Sequence, residues 1–289
     1  MRLPVAVRGF HELVHILVPD SQGALVVLKA YFDASARVKC GLFSVEGFAF
    51  PKLQLMKFDR DWHALFGKYG GCHMKDLTHG HGRFKGIKLE ETDRLVRGAV
   101  AILRKRAWYG IAVSCNLKEL DPLLPKWIQG FEHAYPVCCH MAMTMLGKKI
   151  REGGHDHEVA YFFETGDQYS GCAHRFLDHV TKSPEVKESY RHSSHSFVDK
   201  DDALALQGAD MLAWEWAKYR DETVDQRIRP MRRSLGYLLL DQHAGYNKRV
   251  FHLTHLEGTP LQRWSEKVTA LGLSELAERE ARKNRTFAS

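Results

Sequence analysis

The sequence predicts an α/β fold built as one domain. Three observations predict it. Apolar, β-branched runs at 24–32 and 42–50 flank a turn at Gly41 and form a hairpin pattern. Further short strand patterns at 108–115, 158–164 and 189–198 alternate with helical periodicities. No internal repeat or low-complexity linker divides the chain.

The elements follow in order. ALVVLKAYF (24–32) is the first strand, and Asp33 stands where it gives out. LFSVEGFAF (42–50) is the second. From Pro51 to Tyr69 the pattern turns helical, with Leu53, Met56, Phe58, Trp62 and Leu65 grouped on one face. GGCHMKDLTHGHGRFKG (70–86) is a glycine-rich polar loop, and ordered loops of that length tend to carry function. A helix with a basic end follows at 88–106, then the strand WYGIAVSC (108–115) and a helix at 131–151. EVAYFFE (158–164) is a strand that closes on Glu164. A helix at 169–182 and an edge strand at 189–198 come next. LALQGADMLAWEWAKYRDE (204–222) is a strong helix with Leu204, Met211, Leu212 and Trp216 on a broad face. The chain then turns basic (RIRPMRRS) and apolar (LGYLLL), and closes in a helix from about 261 with a polar tail. This divides it into an extension at 1–24, a domain over 25–255 and a C-terminal segment at 256–289.

Bulk composition narrows the function classes. With 289 residues, 44% of them hydrophobic, the chain can bury a full core. No apolar run approaches the ~20 residues of a membrane span. His11, Glu12 and His15 interrupt the N-terminal apolar stretch, which lacks a small-residue cleavage site, so a cytoplasmic location is expected. The six cysteines include no C-x-x-C pair, which argues against a zinc ribbon and against a disulfide framework. A net charge of +7 suits an anionic partner such as nucleic acid.

Three acids share an unusual setting. Asp33 and Glu164 end strands, and Asp210 lies on the apolar late helix, three residues after Gln207. Positions i and i+3 share a helix face, so Gln207 and Asp210 can aim at one point. If that helix crosses the two strand ends, the carboxylates meet. Such a cluster is costly unless a divalent cation neutralises it. Magnesium and manganese prefer oxygen ligands, and a pair of such ions can drive phosphodiester cleavage. Plainer roles stand beside this one. A strand-end aspartate also serves as a turn former or helix cap, Asp167 competes with Glu164, and a salt bridge to an arginine would satisfy Asp210.

Four segments appear in order: YFDAS (31–35), CHMKDL (72–77) with GRFKG (82–86), FFETGD (162–167) and LQGADMLAW (206–214). Together they resemble the domain-of-unknown-function 3800 family, over about residues 25–255. The resemblance implies a ribonuclease H-like fold, a central mixed β-sheet with its first strands antiparallel and helices on both faces. It also implies a metal-dependent nuclease or related phosphoryl-transfer role. The family's first motif is commonly Asp-Glu-Ser-Gly, whereas this chain has Asp33, Ala34, Ser35 and Ala36. The second acid is missing.

The histidine-rich loop adds Asp76 as a candidate fourth carboxylate and His73 as an orienting or acid/base group. Zinc held by His79, His81 and Asp76 is an alternative. Arg83, Lys85, Arg191, Arg232 and Arg233 are candidate phosphate contacts. The expectation is therefore a magnesium- or manganese-dependent nuclease acting on nucleic acid. Its metal ligands are Asp33, Glu164, Asp210 and Asp76, and Gln207 orients a ligand or water. Two rivals stay open: a catalytically silent ribonuclease H-like binding module of a mobile-element or defence system, and a zinc hydrolase centred on the His73–His81 loop.

Overall fold

The computed structural model describes residues 27–124, 129–166, 168–224, 232–239, 251–256 and 262. Strands β1 (Leu28–Arg37) and β2 (Leu42–Pro51) form an antiparallel hairpin, turned at Gly41, whose φ of 70° lies in the left-handed region. Helices α1 (Lys52–Phe66), α2 (Met74–His79) and α3 (Leu89–Arg106) follow, then β3 (Tyr109–Asn116) and the single turn α4 (Leu117–Leu120). Next come α5 (Phe131–Glu152), β4 (Val159–Glu164), α6 (Ser170–Val180), α7 (Pro184–Tyr190) and β5 (His192–Val198). Helices α8 (Leu204–Val224) and α9 (Arg233–Leu239) and strand β6 (Phe251–Leu256) complete the described elements.

The six strands make one mixed sheet in the order β5-β4-β1-β2-β3-β6. β2 runs antiparallel to both of its neighbours, β1 and β3, while β4 joins β1, β5 joins β4 and β6 joins β3 in parallel. Side chains alternate across a strand, so residue parity assigns each to a face. Leu28, Ala30, Phe32, Phe43, Val45 and Phe163 join the apolar cluster that includes residues of α5, α6 and α7. Tyr31, Phe48, Phe50 and Phe162 join the opposite cluster, which includes residues of α1, α3 and α8. Helices thus cover both faces. Gly208 lets α8 close on its neighbours, since a Cβ there would stand 3.0 Å from Leu103 Cδ2 and 3.2 Å from Phe58 Cζ.

Several elements depart from the sequence expectation. β1 does not stop at Asp33; it continues four residues further, paired with β2 to Arg37↔Leu42. The buried face of α1 is Leu55, Phe58, Trp62 and Phe66, whereas Leu53 and Met56 are exposed. The aromatic ladder from Phe50 through Phe58 and Trp62 to Phe66, with ring spacings of 5.1, 5.0 and 4.9 Å, takes the core side. The 70–86 loop contains the short helix α2 and a 3-10 turn at Gly82–Phe84. Helix α7 precedes β5, and the apolar LGYLLL segment begins within α9. Strand β6 was not anticipated. The extension at 1–24 and nearly all of the closing helix and tail lie outside the described residues. Among those described, no helix is long and apolar enough to cross a membrane. None of the six cysteines forms a disulfide, and five of them are buried.

Candidate active site

Parity and pairing bring the acids together. The parallel β1–β4 pairing ends at Phe32↔Phe163, so Asp33 and Glu164 are the next residue on each strand. Both share the sheet face of Tyr31 and Phe162, the face that α8 crosses with Asp210. Asp33, Glu164 and Asp210 are all buried. Three acids far apart in sequence therefore occupy one region under one helix. Asp167 lies outside the described residues.

A lysine fills the centre of this region. Lys200, in the turn between β5 and α8, places its Nζ 3.3 Å from Asp33 Oδ2 and 3.3 Å from Asp210 Oδ1. Asp33 Oδ1 also accepts from Ala34 N at 2.8 Å, and Asp210 Oδ2 from Met74 N at 2.6 Å. Burial pushes the Asp33 carboxyl up to about 8; Lys200 opposes this, while Asp210 and Glu164 reinforce it. Glu164 is raised too, first by burial, with Lys200 and a Gly166 backbone hydrogen bond opposing. Burial alone would lower the Lys200 pKa, yet Asp33, Asp210 and Glu164 together hold it above its ordinary value. The ammonium is thus a charged partner for an acidic centre it cannot fully neutralise. Sequence reasoning missed it, because a lone lysine inside the acidic run Asp199–Asp202 resembles an ordinary solvated turn.

Gln207 links three distant segments to the site. Its Oε1 accepts from Trp62 Nε1 and from Cys72 N, both at 2.9 Å, and its Nε2 donates to Lys200 O at 3.2 Å. The amide joins α1, the 70–73 segment and the Lys200 turn, and it is buried. It holds the backbone of these segments in place. Gly71, at φ 121°, makes room for it, since a Cβ there would stand 2.8 Å from Gln207 Nε2.

Asp76 approaches the centre only through His73. His73 Nε2 is 3.8 Å from Asp210 Oδ1, and His73 Nδ1 is 4.0 Å from Asp76 Oδ1. The imidazole therefore stands between two carboxylates. His79 and His81 stack with ring centroids 5.8 Å apart, and His79 sets its ring edge-on to Trp214 at 5.4 Å.

One more acid belongs here. Glu46 on β2 is the direct cross-strand partner of Asp33, so the two side chains share a face. Glu46 is fully buried, and among the described residues neither carboxyl oxygen has a partner in good hydrogen-bond geometry. Burial drives its pKa well up, and Asp33 adds to this; Ser44 and Arg37 oppose it. Its sequence signal was an acid at an inward position of the apolar strand LFSVEGFAF. Ala34, by contrast, packs against the opposite apolar cluster. An acid at position 34 would therefore point away from Asp33.

Asp33 and Asp210 open onto a cleft of about 440 Å³, also lined by Arg37, His73, Lys75, His79, Trp214 and Lys218. Arg37 and Lys218 both lie over the Trp214 ring, at 5.3 and 5.5 Å from its centroid. The cations singled out from sequence sit elsewhere. Arg83 pairs with Asp201 at 2.7 Å and also donates to Gly70 O. Arg191 pairs with Asp156 and with Glu188, and Arg232 lies 3.4 Å from Glu215. Lys85 is exposed outside the cleft lining, and the Arg233 side chain is outside the described residues.

Among the described residues no three His, Cys, Asp or Glu side chains are already arranged as metal ligands. Yet a cation, the Lys200 ammonium, already bridges Asp33 and Asp210, and among the described residues the buried Glu46 carboxyl beside Asp33 has no partner in good hydrogen-bond geometry. Magnesium is commonly held by one or two carboxylates together with substrate phosphate, so an all-oxygen pair opening on a cleft fits it. No protein-family model matches the sequence, and no curated protein matches it.

Proposed function

We propose that this protein is a magnesium- or manganese-dependent phosphodiester hydrolase of ribonuclease H-like type acting on nucleic acid. The observation that carries the reading is the convergence of Asp33 and Asp210 on one cation at the mouth of a cleft, with Glu164 beside them. The mixed sheet, antiparallel in its first strands and covered by helices on both faces, supports the fold part of the resemblance. The motif resemblance to the domain-of-unknown-function 3800 family belongs to the same reading.

Asp33 and Asp210 would hold the ion. When bound, such an ion supplies a water of lowered pKa and neutralises charge on a phosphate. The remaining work falls to the chain. Arg37, Lys75 and Lys218 line the cleft and suit phosphate oxygens. His73 Nε2, facing Asp210, can carry a proton at the edge of the centre. Met74 N–H holds Asp210 Oδ2, and Ala34 N–H holds Asp33 Oδ1, fixing both carboxylates in the direction of the cleft.

The test is cleavage of labelled single- and double-stranded DNA and RNA in Mn²⁺ or Mg²⁺. Asp33→Asn and Asp210→Asn should each abolish it. Cleavage that survives both substitutions rejects the assignment. A second reading, a nucleic-acid-binding module without turnover, draws on Lys200 standing where an ion would sit. Oligonucleotide binding that is unaffected by chelator, with no cleavage in any ion, would select it.

A further inference from the structure

Lys200 combines a fixed backbone with a free-ended side chain. Its carbonyl is held by Gln207 Nε2, and its neighbour Asp201 is anchored by Arg83 at 2.7 Å and by its own N–H on Asp199 Oδ1 at 2.7 Å. The ammonium itself is held loosely. Its two carboxylate contacts, both 3.3 Å, exceed the ~2.7–2.9 Å of tight charge-assisted hydrogen bonds. It brings one positive charge to a region where Asp33, Asp210 and Glu164 all act on it. A further buried carboxyl, Glu46, stands beside Asp33 and, among the described residues, has no partner in good hydrogen-bond geometry. A divalent ion held by Asp33 and Asp210 would compete with the ammonium for the same carboxylate oxygens.

We propose that Lys200 is a tethered, displaceable counter-cation. It neutralises Asp33 and Asp210 in the ion-free protein and yields its place when a divalent ion binds. Resting on the metal-dependent reading above, this gives Lys200 two opposed effects. It stabilises the ion-free fold, and it weakens the affinity of the centre for the ion. The threshold concentration at which the centre loads is then set by a residue that is not a ligand.

The experiment measures Mn²⁺ binding by the electron paramagnetic resonance of free Mn²⁺, and thermal midpoints in chelator and in Mn²⁺. The proteins are the full chain, Lys200→Met, Lys200→Gln and Asp33→Asn. Expected is at least tenfold tighter Mn²⁺ binding by both Lys200 variants. Their midpoints should lie below that of the unsubstituted protein in chelator and rise more steeply with Mn²⁺. Asp33→Asn should lose the binding. Two Lys200 variants guard against one failing to fold, checked by circular dichroism. If the unsubstituted protein binds Mn²⁺ and the Lys200 variants bind it equally or more weakly, the displacement idea is overturned while the metal-dependent reading stands. If none of the proteins binds Mn²⁺ above the Asp33→Asn baseline, both are overturned.

Discussion

Asp33 and Glu46 are direct cross-strand partners on the α8 side of the sheet, and among the described residues the Glu46 carboxyl has no partner in good hydrogen-bond geometry. Both groups are held well above the ordinary carboxylate range, chiefly by burial. In the unfolded chain they titrate near ~4. Between that pH and about 8, where Asp33 titrates, the native state binds more protons than the unfolded one, so stability falls as pH rises. Lys200, held above its ordinary pKa by the neighbouring carboxylates, contributes fully below its unfolded pKa of ~10.4 and adds no slope in this window. Glu46→Gln should flatten the decline and stabilise the ion-free protein at pH 8, because the amide does not titrate and each pH unit of raised pKa that it removes is worth about 1.4 kcal/mol. Urea midpoints across pH 5–8 measure it. A slope identical to that of the unsubstituted protein would show that Glu46 keeps an ordinary pKa.

Asp210 has two separable duties, as counter-charge to Lys200 and as acceptor for Met74 N. Asp210→Ala removes both; Lys200 keeps Asp33, so the loss should be roughly 1–3 kcal/mol, the usual cost of leaving the buried Met74 N–H without its acceptor. Asp210→Asn keeps an acceptor oxygen for Met74 and should cost less. Equal urea midpoints for the two variants would mean that the Met74 hydrogen bond contributes nothing.

Gln207→Ala breaks three hydrogen bonds and leaves Trp62 Nε1 and Cys72 N without their acceptor. The expected loss is roughly 2–4 kcal/mol. Amide hydrogen exchange should locate it, with protection lost around 70–74 rather than in β2. A stable variant with altered cleavage alone would instead assign Gln207 to ligand or water orientation.

Ala34→Glu restores the acid found at this position in the resembling family. Because Ala34 packs on the opposite cluster from Asp33, the new carboxylate should not enter the centre. Mn²⁺ affinity should stay unchanged, with a loss of about 1 kcal/mol, typical of a point substitution. Tighter Mn²⁺ binding by this variant would disprove the assignment of faces.

Much of the architecture followed from local pattern. The hairpin around Gly41, the strands ending near Asn116 and Glu164, and the long helices at 131–152 and 204–224 are all fixed by periodicity, because strand and helix repeats are short-range properties of the chain. The grouping of Asp33, Glu164 and Asp210 was also legible, since two ended apolar strands and one lay on an apolar helix. The extent of β1 was not, because its last four residues are held by β2 rather than by their own propensity.

The sequence by itself determined which carboxylates were available and that α8 would present Gln207 and Asp210 together. Only the tertiary structure decided what meets them. Lys200 reaches Asp33 across 167 positions of chain, and Glu46 stands beside Asp33 through antiparallel register. Gln207 spends its amide on three distant segments. The physical reason is that local pattern sets the direction of a side chain within its own element. Sheet register and helix docking set which charges share a low-dielectric space, and there each charge changes the ionisation of the next.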